Sequence, residues 1–278
     1  LLAEVKKRAH VLKLESAVIT FEPNPKDYFS QNKPQTRISS LREKIELFNE
    51  IKIDRVHIIK FNQEFSKVTA NEFISILIKK LKVKEIVVGE DFCFGVGREG
   101  SIKQLSKSSM ELNIKNKILI DGKRISSTLI RNLLANDKLY EANKYIGRPY
   151  SISGKVVHGE KRGRKIGFPT ANVEVPVTMC VPADGVYAAW YVRLVAGKEE
   201  MYPCAINIGR RPTFYENAPV SLIEAHIIGE TDLDLYGEVA MLRFVTRLRG
   251  EQKFAGLEEM KTQLAIDVAN ASAILSKA

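Results

Sequence analysis

The densest cluster of chemically useful residues in this sequence is His158-Gly159-Glu160-Lys161-Arg162-Gly163-Arg164-Lys165-Ile166-Gly167-Phe168-Pro169-Thr170-Ala171-Asn172. Three glycines, Gly159, Gly163 and Gly167, share one short loop with four cations, Lys165 among them. Glycine lets a backbone approach phosphate oxygens closely, and successive N–H groups form an anion-binding nest. The lysines and arginines neutralise phosphate charge. Thr170 and Asn172 offer neutral oxygen donors of the kind Mg²⁺ takes when it is shared with substrate phosphates. The plain alternative is a solvated basic loop between strands. The Pro-Thr-x-Asn ending turns the reading towards phosphate chemistry. The loop is neither G-x-x-x-x-G-K-[ST] nor a G-x-G-x-x-G dinucleotide fingerprint. Its flanks, Ser151–Val157 and Asn172–Val175, read as strands, so the loop caps a β structure.

Phosphoryl transfer also needs the acceptor hydroxyl oriented and finally deprotonated, commonly by one carboxylate. In the alternating run Leu222–Ile228, Glu224 and His226 share one face, while Ile223, Ala225 and Ile227 face the other way. Glu224 is thus a charge on a strand expected to form a barrel wall. A surface glutamate paired with a lysine has the same pattern, and alternation alone does not separate the two.

A third candidate is Ser126-Ser127-Thr128-Leu129-Ile130-Arg131 at the start of a helix. Hydroxyls and free N–H groups there, with an arginine one turn on, make an anion site. Ordinary capping by Ser126 or Ser127 is the competing explanation.

The elements that must position these groups fall into two patterns. Residues 1 to about 146 alternate strands (Ala17–Phe21, Arg55–Ile59, Glu85–Val88) with helices (Ser39 through Asn49, Ala70–Leu81), which implies parallel βαβ units and an α/β domain. Ligands of such sheets lie beyond the carboxyl ends of strands. That singles out Phe21–Pro25 and the segment Gly89–Gly95, which carries Asp91 and Phe92. After Ile146-Gly147-Arg148-Pro149 the pattern becomes short strands, Val186–Val192, Tyr202–Ile208, Leu222–Ile228 and Val239–Val245. Turn signals at Ala183–Gly185, Gly209–Pro212 and Asp234–Gly237 separate them, the rhythm of a small antiparallel barrel or sandwich. Leu257, Met260, Leu264, Val268, Ala271 and Leu275 then mark one face of a closing helix, read as covering the core.

Composition narrows the function classes. The formal net charge is +10, and residues 1–146 hold 27 basic against 18 acidic side chains, so nearly all of the surplus lies in the first half. An anionic ligand suits that half. Nucleic acid is not expected, because the basic residues are scattered along helices with no aromatic-interleaved basic strand. Cys93, Cys180 and Cys204 are isolated, as are the four histidines, which argues against a disulfide framework and against zinc. No apolar run reaches membrane-span length and no signal peptide is visible, so a cytoplasmic protein without membrane association is expected. The chain opens in helical pattern without a methionine or a preceding cap, which leads us to expect a further N-terminal piece.

Six motifs follow one another in order: His158-Gly-x4-Arg-x2-Gly-Phe-Pro-Thr-Ala-Asn172, Asp184-Gly-Val-Tyr187, Asn207-Ile-Gly-Arg-Arg-Pro-Thr213, Glu224-Ala-His226, Asp234-Leu-Tyr-Gly237, and Arg249-Gly-Glu251 with Phe254. Together they resemble the riboflavin kinase module of the bacterial bifunctional riboflavin kinase/FAD synthetases. Thr20-Phe21-Glu22-Pro23, Val88-Gly89-Glu90-Asp91-Phe92 with Phe94-Gly95, and Ser126-Ser127-Thr128 with Arg131 are similar to that family's adenylyltransferase module. The resemblance implies a nucleotidyltransferase-like, Rossmann-like α/β domain over residues 1–147. An antiparallel β-barrel kinase domain with a C-terminal helix would then occupy residues 148–278.

It implies ATP + riboflavin → FMN + ADP as the main activity, with ATP + FMN → FAD + diphosphate in the intact family member. Glu224 would be the base for the ribityl hydroxyl, and Thr170 and Asn172 would hold Mg²⁺ or Mn²⁺. Gly159, Gly163, Lys165 and Gly167 would cover the ATP phosphates. Ser127, Thr128 and Arg131 would bind phosphates in the first module, with Asp91 and Phe92 near its nucleotide or flavin. The family's Gly-x-Phe-Asp-Gly-x-His-x-Gly-His turn precedes the helix that opens here at Leu1. The 278 residues alone are therefore expected to make FMN rather than FAD. Asn24 also stands where the family often carries histidine. A flavin or nucleotide sensor without chemistry, or an RNA-binding module, are the alternatives; the intact Thr170, Asn172 and Glu224 set opposes the first.

Overall fold

The computed structural model describes residues 1–30, 36–159, 162–209, 220–230 and 233–277. The chain divides into two compact units, Leu1–Gln35 with Leu41–Ile125, and Thr36–Ser40 with Ser126–Ala278.

The first unit is α/β. After α1 (Leu2–Leu12), strand β1 (Ala17–Glu22) pairs in parallel with β2 (Arg55–Lys60), from Ala17 opposite Arg55 to Glu22 opposite Lys60. Helix α2 (Leu41–Glu50) lies in the crossover between them. A parallel pair requires such a crossover, because a hairpin can join only antiparallel strands. β3 (Glu85–Gly89) pairs in parallel with β4 (Glu111–Lys115). Helix α3 (Ala70–Ser75) opens with a capping box, in which Thr69 and Glu72 each satisfy the other's backbone N–H. The single helix expected over Ala70–Leu81 instead widens into a π-helical turn at Ile76–Lys80. Phe73, Leu77, Phe94, Leu105 and Met110 form the unit's buried core.

The second unit begins with α4 (Ser127–Ala135) and α5 (Leu139–Ile146). Both are tied to the strands that follow. Asn143 donates to the carbonyl of Phe244 at 2.9 Å and accepts from the N–H of Tyr150 at 2.8 Å, and Ala183 N–H donates to the Leu134 carbonyl at 2.9 Å. These bonds explain why the compact division falls at Ile125/Ser126 and not at the Gly147 left-handed cap that ends α5.

The rest of this unit is a closed antiparallel barrel of six strands: β5 (Tyr150–Val157), β6 (Ala171–Pro176), β7 (Gly185–Val195), β8 (Lys198–Ile208), β9 (Val220–Ile227) and β10 (Val239–Arg249). Around the wall the order is β6-β9-β8-β7-β10-β5, returning to β6. Period-two alternation decides which side chains fill the interior. Ile223 and Ala225 of β9, Val173 and Val175 of β6, and Leu242 and Phe244 of β10 are fully buried. Tyr187 and Tyr150 pack against Phe244 at ring separations of 5.4 and 6.3 Å. Their hydroxyls donate to the carbonyls of Ala183 and Cys180, so neither is buried unsatisfied. Burial pushes the Tyr187 phenol up to about 12.

Helix α6 (Leu257–Leu275) lies on the outside of the wall. Ala188 and Ala205 of the wall and Ala271 of the helix are small, so the two surfaces come close, and Leu275, Val268 and Trp190 fill the contact. Among the described residues no helix is long and apolar enough to cross a membrane.

Candidate active site

Strand register assembles the site. Glu224 stands directly opposite Asn172 on β6 and directly opposite Asn207 on β8. Asn207 in turn faces Val186 on β7, and Val186 faces Arg249 on β10. Directly opposed residues project to the same face and lie roughly 4.5–5.5 Å apart at Cα. The row Asn172, Glu224, Asn207, Val186, Arg249 therefore runs across the outer face of the wall. The interior is left to Ile223 and Ala225, as the alternation around Glu224 predicts.

This row floors a cleft of about 440 Å³ between the barrel wall and α6. Its apolar lining includes Ile166, Phe168, Val186, Phe254, Met260, Leu264 and Val268; its polar groups include Thr170, Asn172, Asn207, Glu224, His226 and Glu251. A mainly apolar cavity of this size with a few convergent polar groups suits a small-molecule ligand. The α6 stripe thus has two jobs. Ala271 and Leu275 cover the wall as expected, Met260 and Leu264 line the cleft, and Val268 does both.

The glycine-rich loop is folded onto this floor. A Cβ on Gly159 would lie 2.1 Å from Nδ2 of Asn172, so only glycine lets the loop start against that carboxamide. A Cβ on Gly163 would lie 2.2 Å from the Phe168 carbonyl oxygen. The backbone closes tightly there, with Phe168 N–H donating to the Gly163 carbonyl at 2.9 Å after a short helical turn, Arg162–Lys165. Gly167 has φ +87° with open space around its Cβ position, so its requirement is conformational. The end of the loop is pinned by His226, whose Nδ1–H donates to the Pro169 carbonyl at 2.7 Å, and whose ring meets Phe168 edge-on at 5.5 Å. Thr170 and Asn172 then enter the cleft beside Glu224. Glu160, Lys161, the side chains of Arg162 and Lys165, and residues 210–219 lie outside the described residues.

At the other end of the row the partly buried Arg249 makes an ion pair with the buried Asp267 of α6. Its Nε reaches both carboxylate oxygens at 3.0 Å and its Nη2 reaches Oδ2 at 2.7 Å. The side chains are 20% and 3% exposed. Removing one partner of such a pair strands a buried charge, at a cost of about 3–5 kcal/mol. Sequence reasoning placed Asn207, Arg249, Glu251 and Phe254 in motifs without assigning them to the site, and passed over Asp267. The available signal for Asp267 was a carboxylate set between Leu264 and Val268 on an otherwise apolar face.

Among the described residues no group of three or more His, Cys, Asp or Glu could hold a metal ion. What the cleft offers is a hydroxyl, a carboxamide and a carboxylate, hard oxygen donors that fit Mg²⁺ or Mn²⁺ carried in with phosphates.

The first-module candidates separate between the two units. In the first, Asp91 is ion-paired with Arg124, which holds its carboxyl below the usual range. Phe92 stacks on Phe94 at 5.6 Å and packs on the core, so part of its surface is structural. Asn24 caps the short helix Pro25–Phe29, its Oδ1 accepting from Lys26 N–H at 2.9 Å. In the second unit Ser126 is the cap of α4, accepting from Leu129 N–H. Ser127 and Thr128 are left exposed on the first turn, and Arg131 donates to Thr128 Oγ1 at 3.4 Å.

Two family models match this chain, riboflavin kinase over residues 146–275 and FAD synthetase over residues 1–129. The bifunctional riboflavin kinase/FMN adenylyltransferase of Escherichia coli (strain K12) is 40% identical over 255 residues, covering 90% of this chain and 79% of the relative. The enzyme of the same name from Haemophilus influenzae is 36% identical over 280 residues, covering 99% and 89%. That from Bacillus subtilis (strain 168) is 35% identical over 259 residues, covering 91% and 80%. A crystal structure named as a macrolide-efflux protein from Streptococcus pneumoniae is also similar. It has a TM-score of 0.83 and 30% identity over 96% of this chain and 86% of that one. With both modules matched and the relatives covered over most of their length, the chain belongs to the bifunctional riboflavin kinase/FMN adenylyltransferase family.

Proposed function

We propose that this protein phosphorylates riboflavin with ATP, giving FMN and ADP, and that its first module serves the adenylylation of FMN to FAD with release of diphosphate. One observation carries the kinase reading: the direct pairing of Glu224 with Asn172 on the floor of a mainly apolar cleft that the glycine-rich loop overhangs. The apolar part of the cleft suits an isoalloxazine ring, and the polar row suits a ribityl chain and the phosphates it meets.

In this reading Glu224 accepts the proton of the terminal ribityl hydroxyl as that oxygen bonds to the γ-phosphorus and the bond to the β-phosphate bridging oxygen breaks. ADP is the leaving group. The turn from Gly159 to Gly167, with Lys165, covers the phosphates through backbone N–H groups and cationic charge. Thr170 and Asn172 hold Mg²⁺. A metal ion held there would supply positive charge against the charge that develops on the phosphates during transfer. In the first module Ser127, Thr128 and Arg131 bind phosphate at the α4 N-terminus, where aligned N–H groups favour an anion. Asp91 and Phe92 adjoin the nucleotide or flavin. ATP as co-substrate implies a cytoplasmic site of action.

The test is turnover. The purified protein is incubated with riboflavin, ATP and Mg²⁺, and FMN is followed by chromatography. FMN formation that disappears without ATP supports the reading, while flavin binding without FMN formation would make the protein a sensor. FMN and ATP as substrates, with FAD as the product followed, test the second activity in the same preparation.

A further inference from the structure

We propose that Asp267 is a positioning residue: through its ion pair with Arg249 it latches the helical wall of the cleft and the Phe254 ring into the geometry that receives riboflavin. This inference rests on the riboflavin kinase reading and adds to it a determinant of flavin affinity that touches no reacting atom.

The carboxylate of Asp267 is saturated from within the protein. It accepts from Nε and Nη2 of Arg249 at 2.7 to 3.0 Å and from Nε2 of Gln263 at 3.0 Å. Arg249 is equally committed, since its Nη1 donates to the Gly250 carbonyl at 2.9 Å. All three guanidinium nitrogens are thus bonded within the chain, and an arginine placed like this does not serve as a phosphate clamp. The same guanidinium lies 5.8 Å from the centre of the Phe254 ring, a cation–π distance. Arg249 therefore connects the last residue of β10 to Phe254 on one side and to α6 on the other.

On α6 the latch falls between two cleft residues. Leu264 lies about one turn before Asp267 and Val268 directly after it; both line the cleft that holds Glu224, and Asp267 and Arg249 are themselves among its lining residues. The segment between strand and helix is secured at its far end too, where Ala255 N–H donates to the Glu259 carboxylate at 2.7 Å. The intervening loop places Glu251 and Phe254 in the cleft. Loosening the latch frees the wall against which a flavin ring would rest. The Asn172–Glu224 pair is untouched, because it is fixed by the separate register of β6 and β9.

That separation gives the test. In the full chain, Asp267→Asn is expected to raise KM for riboflavin by roughly tenfold or more, with kcat and KM for ATP within about twofold of wild type. Flavin fluorescence quenching measures the same loss as a weaker riboflavin Kd. A role confined to stability would lower the active fraction, and so kcat, with both KM values unchanged; that result overturns the proposal. A riboflavin KM within about twofold of wild type also overturns it.

Should Asp267→Asn fail to fold, Arg249→Met/Asp267→Leu replaces the buried pair by apolar groups that such sites commonly tolerate. It is expected to melt near wild type yet still show the raised riboflavin KM, and a wild-type KM in that protein overturns the latch. If the wild-type chain itself neither binds riboflavin nor makes FMN, the kinase reading falls first, and the outcome is recognisable without any variant.

Discussion

Asn172 and Glu224 are direct cross-strand partners, one on β6 and the other on β9, and Asn207 flanks Glu224 from the opposite side on β8. The spacing between carboxamide and carboxylate is therefore set by a ladder of backbone hydrogen bonds within a closed barrel. The glycine-rich segment, by contrast, is a loop between β5 and β6, and its end is fastened to the strand of Glu224 through His226. Groups held on strands of a rigid scaffold keep their aim more closely than groups held on loops.

Glu224→Gln keeps the shape of the side chain and removes its ability to take a proton. Positioned general bases contribute roughly 10²–10⁴-fold, so kcat for FMN formation is expected to fall by about that factor with riboflavin KM little changed. Steady-state kinetics in saturating ATP measure it. A kcat within a few-fold of wild type would remove Glu224 from the base role.

Gly159→Ala tests the contact between the loop and Asn172. The added methyl carbon would lie 2.1 Å from Nδ2 of Asn172, far inside van der Waals contact, so either the loop start or the carboxamide must move. The position is at the barrel surface, so the melting temperature is expected to change little. Catalytic efficiency with ATP should fall by about tenfold or more, since misplacement of a reacting group by about 1 Å costs on the order of 10²-fold. Unaltered efficiency would show that the loop relaxes away without consequence.

Much of this was legible in the sequence, and the reasons differ by element. The strand carrying Glu224 could be read because Ile223, Ala225 and Ile227 are apolar at alternate positions, and all three are buried inside the barrel. The α6 stripe was legible as a helix face over the full Leu257–Leu275 span. Its division of labour was not, because periodicity cannot distinguish an apolar side chain that seals a wall from one that lines a cavity. β4 escaped notice since Glu-Leu-Asn-Ile-Lys contains just two apolar residues, and Ile114 is 44% exposed. The π-helical turn after Ser75 has no signature in a run as apolar as Ile-Leu-Ile. The carboxylate of Asp267 on an apolar face is a sequence signal, but its partner is not: Arg249 is 18 residues away, and only the docking of α6 on the wall brings the two together.

Asp54 is one of the carboxyls, with Glu4, Glu72 and Asp91, through which the first unit should be acid-sensitive. Its carboxylate accepts from both the N–H and the hydroxyl of Ser16, at 2.8 and 2.5 Å, and these bonds hold its pKa below the ordinary carboxylate value. Ser16 is 1% exposed and sits immediately before β1, where the pairing with β2 begins. A carboxyl depressed in the native state contributes stability that is present above its unfolded pKa and is lost as pH falls through its native pKa. Ser16→Ala removes the hydroxyl donor, so the native Asp54 pKa should rise towards 3.8 and the acid limb of the stability curve should flatten. NMR titration of the Asp54 carboxyl, together with melting temperatures between pH 2 and 5, measures both; an unshifted titration would remove Ser16 from this role.

The metal assignment is tested by altering charge at the ligand position without altering size. Asn172 is 8% exposed and lies beside Glu224, so Asn172→Asp places a second carboxylate next to the first. If Asn172 and Thr170 hold Mg²⁺, the new charge should strengthen binding of the metal alone and lower the Mg²⁺ concentration for half-maximal rate. It should also disfavour the approach of a polyanionic nucleotide, so KM for ATP rises at saturating metal. Thr170→Ala removes a neutral donor and should raise the half-maximal Mg²⁺ concentration. Without a metal role the two variants have no reason to move that concentration in opposite directions. Mg²⁺ titrations of FMN formation at fixed free ATP distinguish the cases, and unchanged dependence in both variants would exclude these residues as ligands. Metal binding observed by calorimetry in the absence of nucleotide supplies a readout independent of turnover, and there too Asn172→Asp should bind more tightly than wild type.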